Sequence, residues 1–139
     1  MLVSTKGRYA IRVMIDLAEH DREAYIPLKE IAKRQNISEK YLEVIVKSLS
    51  QAHYIEGLRG KGGGYRLVND PSTYRISDII ELMEGTLSPV STIKGEPITF
   101  EDNTKTLWEG LEDVIRKYLD NITIQDLSTP VQSGDFYII

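Results

Sequence analysis

Apolar residues recur at helical spacing from Lys6 to about His20. Ala10, Val13, Met14, Leu17 and Ala18 fall at i, i+3, i+4, i+7 and i+8. Ile11 and Ile15 widen that arc and leave a polar wedge of Arg8, Arg12, Asp16 and Glu19. A helix apolar over so much of its surface needs cover on more than one side. One side belongs to a domain core, and the other is unassigned by local pattern.

Ile26-Pro27 reads as a short extended piece, and Leu28 to about Gln35 as a short helix with Leu28, Ile31 and Ala32 inward. Asn36-Ile37-Ser38 predicts a turn, with Ser38 as N-cap and Glu39 well placed in the following first turn. The next helix runs from Glu39 to about His53 with Leu42, Ile45, Val46 and Leu49 inward. Two short helices joined by a tight turn match helix-turn-helix. Ile55 to Arg59 and Tyr65 to Val68 then read as strands around Gly60-Lys61-Gly62-Gly63-Gly64, a hairpin tip able to take positive φ.

Asn69-Asp70-Pro71 ends the hairpin. Ser77 is expected to cap a further helix to Glu84, with Ile76, Ile79, Ile80 and Met83 on one stripe and Gly85 as its stop. Residues 86–103 show no period, and a stretch of that length is usually functional or mobile. Thr104 to about Asp120 is amphipathic: Leu107, Leu111, Val114, Ile115 and Tyr118 form a stripe that Trp108 and Leu119 widen. Thr123 to Leu127 adds a short turn, and the tail Phe136-Tyr137-Ile138-Ile139 is strongly apolar. The expected fold class is mainly α with a small β-hairpin wing. A winged helix-turn-helix domain at 1–85 and a loop at 86–103 lead to a dimerisation helix and C-terminal tail at 104–139.

The 139 residues, 41% hydrophobic and 27% charged, suit one globular domain with an appended arm. Cysteine is absent. That excludes disulfides, thiolate zinc sites, cysteine-ligated iron–sulfur clusters, cysteine nucleophiles and any thiol switch. No early apolar run has signal-peptide length and no segment is long enough to span a bilayer, so the expected location is cytoplasmic. The net charge of −4 averages two unlike halves. Residues 1–75 hold 13 Lys/Arg against 9 Asp/Glu, whereas 76–139 hold 4 against 12. Screening limits reach to roughly 8 Å at physiological salt, so the local field of the basic half matters more than the total.

The helix after Ser38 turns Lys40, Glu43, Val44, Lys47 and Gln51 outward. A solvated face explains most of these. Val44 fits a thymine methyl better than water, Glu43 can accept from cytosine N4, and Lys40 and Lys47 suit phosphates. The hairpin adds Arg59, Lys61 and Arg66, which read either as solubilising charges or as a wing along DNA. The opening Ser4-Thr5-Lys6-Gly7-Arg8-Tyr9 joins two cations to a helix N-terminus, which predicts a phosphate clamp or simple capping. The Gly cluster lacks G-x-x-x-x-G-K-[ST] and precedes a strand pattern, which removes a nucleotide-binding loop. His20 and His53 share no ligand spacing, and no nucleophile elbow is present. Neither an enzyme, a metal nor another cofactor is expected. The late helix and the first helix both have spare apolar surface, which pairing between two copies would cover.

Three segments carry a family resemblance: Ser4-Thr5-Lys6-Gly7-Arg8-Tyr9, then Ser38-x-x-Tyr41-Leu42-Glu43, then Arg59-Gly60-x-x-Gly63-Gly64-Tyr65. In that order the chain resembles the Rrf-type winged-helix regulators, the group of IscR, NsrR and CymR. Glu84-Gly85-x-x-Ser88-Pro89-Val90, Leu107-Trp108, Thr123-x-x-Asp126-Leu127 and the aromatic tail are most similar to its CymR-like branch.

The resemblance implies a homodimer on double-stranded operator DNA. The helix after Ser38 would enter the major groove, with Glu43 reading bases. The wing would reach the minor groove, and Lys6 and Arg8 would touch the backbone. With the outward face above, the DNA-binding set is Lys6, Arg8, Tyr9, Ser38, Lys40, Tyr41, Glu43, Val44, Lys47, Arg59, Lys61 and Gly63. The dimerisation set is Ile11, Ile15, Leu107, Trp108, Leu111, Val114, Ile115 and Tyr118. IscR-like members place three cluster-binding cysteines in the segment corresponding to 86–103, and this chain has none there or elsewhere. The CymR-like branch implies repression of cysteine-metabolism genes together with cysteine synthase, the O-acetylserine thiol-lyase. Two alternatives stay open: a regulator of other genes that responds to a small ligand at 86–103, and an interaction module without DNA binding.

Overall fold

The computed structural model describes residues 3–90 and 103–129. The apolar tail from Phe136 and most of the expected 86–103 loop lie outside the described residues. Six α-helices occur among the described residues: α1 Thr5–Ala18, α2 Leu28–Gln35, α3 Glu39–Gln51, α4 Ile76–Glu84, α5 Lys105–Asp120 and α6 Ile124–Leu127. Between α3 and α4 lie β1 Ile55–Leu58, β2 Gly64–Leu67 and a 3-10 turn at Pro71–Thr73. The strands form one antiparallel pair in which Ile55 faces Leu67 and Leu58 faces Gly64.

The inward stripes meet in one core. Val13, Met14 and Leu17 of α1, Ile31 of α2, and Leu42, Ile45, Val46 and Leu49 of α3 are buried with Ile76, Ile79 and Ile80 of α4. Each fully buried side chain of this size contributes roughly 1.5–3 kcal/mol against exposure. Ser38 caps α3 by accepting from the Tyr41 backbone N–H at 3.1 Å. Asn36, at φ 54°, ends α2 in the left-handed region, which Asn tolerates better than most residues.

Three expectations need correction. The winged domain is not complete at residue 85. Leu87 and Ile124 are fully buried in the same core, and α6 packs on α1. Backbone bonds from Ile76 N–H to Ile122 and from Ile124 N–H to Tyr74 sew the late segment to the start of α4. Secondly, Ser77 does not cap α4. The helix begins at Ile76 after Arg75, and the Ser77 hydroxyl turns inward to donate to Asp120 at the end of α5. Thirdly, Ile11 and Ile15 offer less spare surface than expected: both are half-buried against the chain's own core.

Candidate nucleic-acid interface

Burial on α3 divides the helix cleanly. The inward four are buried, while Lys40, Tyr41, Glu43, Val44, Lys47 and Gln51 are exposed. Val44 is 55% exposed at the centre of this face. Ser38 and Glu39 open the same surface, so the cap also fixes how this exposed face begins.

The wing stands beside α3. An open groove of about 600 Å³ runs between them, lined on one side by Glu39 and Glu43 and on the other by Leu58, Arg59, Gly60 and Gly63. Arg59 and Lys61 are exposed at the tip. Gly60 and Gly62 take φ of 90° and 79°, the left-handed region where glycine has no Cβ penalty. A Cβ at Gly63 would collide with the carbonyl oxygens of Leu58 and Gly60. Ile26 exchanges two backbone hydrogen bonds with Tyr65, at 2.8 and 2.9 Å, which binds the entry of α2 to the wing. Helix-turn-helix and wing are thus joined into one continuous surface.

Arg66 does not share the tip's freedom. It donates to Glu56 across the strand pair at 2.7 Å and lies 4.3 Å from the Tyr25 ring centroid. Hydrogen bonding to Glu56 raises its pKa further above the ordinary guanidinium value. Its role is to stiffen the wing's base.

At the N-terminus of α1, Arg8 is exposed, Lys6 and Tyr9 are half-buried, and Arg8 donates to Thr5. The expected phosphate clamp is filled from inside. Glu84 accepts from the Ser4 N–H at 2.9 Å and from the Ser4 hydroxyl at 2.8 Å, so its carboxylate occupies the positive end of α1. Lys6 and Arg8 remain as side-chain cations beside that occupied terminus.

Helix α5 has no buried residue. Leu107, Leu111, Val114 and Tyr118 are exposed, the last two at 63% and 67%. Their 4-3-4 spacing gives one continuous apolar stripe along the helix, in the a/d pattern. Trp108 and Ile115 flank this seam and are half-buried. Arg116 pairs with Glu81 of α4 at 3.3 Å, which orients the helix on its own protomer.

Sequence reasoning missed Asp16. The helical pattern puts it in the polar wedge of the first helix, yet it is 1% exposed and is held by Arg34 and Gln35 of α2. Donating to the Asp16 carboxylate raises the Arg34 pKa above the ordinary guanidinium value. Nothing local marks the position, since the partners lie 18 and 19 residues away.

Residues 3–130 match the family described as Rrf2, iron-dependent transcriptional regulator. The chain belongs to the Rrf2 family. It is 39% identical over 129 residues to the HTH-type transcriptional regulator CymR of Bacillus subtilis, covering 93% of this chain and 91% of that one. It is 35% identical over 134 residues to the regulator IscR of Cereibacter sphaeroides, covering 91% and 86%. The solved structure of B. subtilis CymR, described as a global cysteine regulator, superposes with a TM-score of 0.79 at 36% identity, covering 92% of this chain and 96% of that one. This Rrf2 protein is therefore a CymR-like, DNA-binding transcriptional regulator with a winged-helix fold, and not an enzyme. The iron in the family's description does not fit a thiolate-bound cluster here. The chain has no cysteine, and among the described residues no three His, Cys, Asp or Glu side chains converge. No described helix is long and apolar enough to cross a membrane.

Proposed function

We propose that the chain is a homodimeric repressor that reads operator DNA with the exposed face of α3 and braces it with the wing. The observation that carries this reading is the α3 face, where lysines, a carboxylate and an exposed valine sit beside a glycine-built wing tip. Glu43 and Val44 would touch base edges. Lys40, Lys47, Arg59 and Lys61 would meet phosphates or the minor groove, with Lys6 and Arg8 along the backbone. Ser38 would set the angle of entry, Tyr9 and Tyr41 would back the first turn, and Gly63 would allow the wing to fold tightly.

Two copies would pair through the α5 seam of Leu107, Leu111, Val114 and Tyr118, spacing two α3 helices for a palindromic site. Likeness to CymR, a global cysteine regulator, across most of both chains supports cysteine and sulfur genes as the regulon, with cysteine synthase as the signalling partner that the family resemblance implies. The likeness to IscR supports the alternative of another regulon, without the cluster.

Genomic footprinting tests the regulon, followed by gel shifts on the recovered site and on random DNA at two salt concentrations. Recovery of cysteine-metabolism promoters, with tighter binding in the presence of cysteine synthase, is the expected result. Recovery of unrelated promoters would select the alternative, and equal affinity for both DNAs would remove sequence-specific reading.

A further inference from the structure

We propose that Asp16, Gln35 and Arg12 are positioning residues for DNA recognition. A buried carboxylate on α1 holds the end of α2 and, through Arg12 and the Tyr9–Tyr41 ring pair, sets the first turn of α3 without touching DNA. The inference rests on α3 being the reading helix.

A carboxylate this buried is costly unless its oxygens are filled. Both are. Arg34 donates Nη2 to Oδ1 at 2.8 Å and Nε to Oδ2 at 3.1 Å, a two-pronged grip. Gln35 donates Nε2 to Oδ2 at 2.9 Å. His20 Nδ1 stands 3.7 Å from Oδ1.

The Gln35 amide has a second end. Its Oε1 accepts from Arg12 Nε at 3.1 Å, and Arg12 Nη2 donates to the Gln35 backbone carbonyl. That carbonyl is one of those a helix C-terminus leaves without an intrahelical partner. The Arg12 guanidinium lies 5.2 Å from the Tyr9 ring centroid, a cation–π contact. Tyr9 meets Tyr41 edge-on at 5.6 Å and 72°. Tyr41 sits in the first turn of α3, and its N–H is bound by the Ser38 cap.

The run closes around the helix-turn-helix turn. It fixes α2's last residue on one side of left-handed Asn36 and α3's first turn on the other. Apolar packing could stabilise the same helices, but it is less directional than a forked ion pair, an amide and two rings. Directional contacts set the angle at which α3 leaves the turn. That angle decides whether Glu43 and Val44 meet a base edge.

The test uses the intact protein, an operator selected from a random DNA pool, and a random duplex, each titrated at several salt concentrations. Gln35 is neutral and cannot form an ion pair with phosphate. Gln35→Ala should weaken operator binding at least about fivefold, the lower bound for one lost base contact, with random-DNA affinity and salt slope unchanged. Arg12→Ala should do the same, and the double variant should be no weaker than the weaker single, because the two act in one run. Cooperative thermal unfolding checks that each variant folds. If Gln35→Ala does not fold, the exposed Arg12→Ala decides alone.

A full operator-to-random ratio in the folded variant overturns the inference and leaves the reading helix standing. A salt slope lowered by about 0.9 in Arg12→Ala makes Arg12 a phosphate contact and also overturns it. A wild-type protein that selects no sequence from the pool removes the reading-helix assignment itself.

Discussion

Glu43 is an anion on the face proposed to meet a polyanion, so its removal should act with opposite signs on two DNAs. Glu43→Ala should tighten random-DNA binding by relieving repulsion, and should lose about 1–3 kcal/mol on the operator if the carboxylate accepts from a cytosine. Titration on both duplexes reads the narrowing gap; equal weakening on both would leave α3 a backbone contact only. Gly63→Ala forces a methyl into the Leu58 and Gly60 carbonyl oxygens. The wing tip must open, so both DNAs should bind more weakly while thermal unfolding barely moves, the core lying elsewhere. Single positions were legible where period alone decides them. The exposed and buried sides of α3 follow from helical geometry, and Val44 stood out as apolar on the wrong side. Asp16 was not legible, because a polar residue in an amphipathic wedge looks solvated until Arg34 and Gln35 are brought to it by the fold. The opening Ser4-to-Arg8 stretch misled for the same reason: a helix N-terminus attracts anions in general, and Glu84, 80 residues on, is the anion that reaches it.

At the level of elements, α5 bears the clearest expectation. Its seam is apolar, exposed and spaced for a second helix. Val114→Asp would put a carboxylate into that seam, a cost of roughly 3–5 kcal/mol for an unpaired buried charge. Sedimentation should show monomer with unchanged helix content, and an intact dimer would remove the seam from the interface. Ile115→Asp is the poorer probe, since Ile115 is already half-buried within its protomer and its loss mixes folding with association. Hydrophobic spacing predicted α2, α3, α4 and α5 to within a residue or two, and the glycine run predicted the hairpin. The start of α4 was misread because Ser77 is a good capping residue in isolation. Its hydroxyl is instead drawn to Asp120, a contact only the docking of α5 creates.

For the molecule as a whole, the late segment is part of the fold rather than an appendage. Ile124 is wholly buried and α6 lies on α1 and the 3-10 turn. Ile124→Ala should therefore destabilise the protein by about 2–5 kcal/mol, as truncating a core isoleucine does, despite its place beyond the wing and α5. Chemical denaturation measures it, and a change below about 0.5 kcal/mol would show that α6 is dispensable. A four-residue helix with one buried side chain offers too little pattern to reveal its docking. The capping box formed by Thr123 and Asp126 marks where α6 starts but not what it covers.

The packing of α6 on α1 also sets an order of events during synthesis. Part of α1 is covered by nearly the last segment described, and Glu19 just beyond α1 accepts from the Thr129 backbone N–H. At about 5–20 residues per second, the side of α1 that α6 covers waits several seconds after α1 is made, while α3, the wing and α4 reach the rest of the helix sooner. Through that interval the nascent chain exposes the apolar strip that α6 will cover, and a chain stalled before Ile124 would lack that cover.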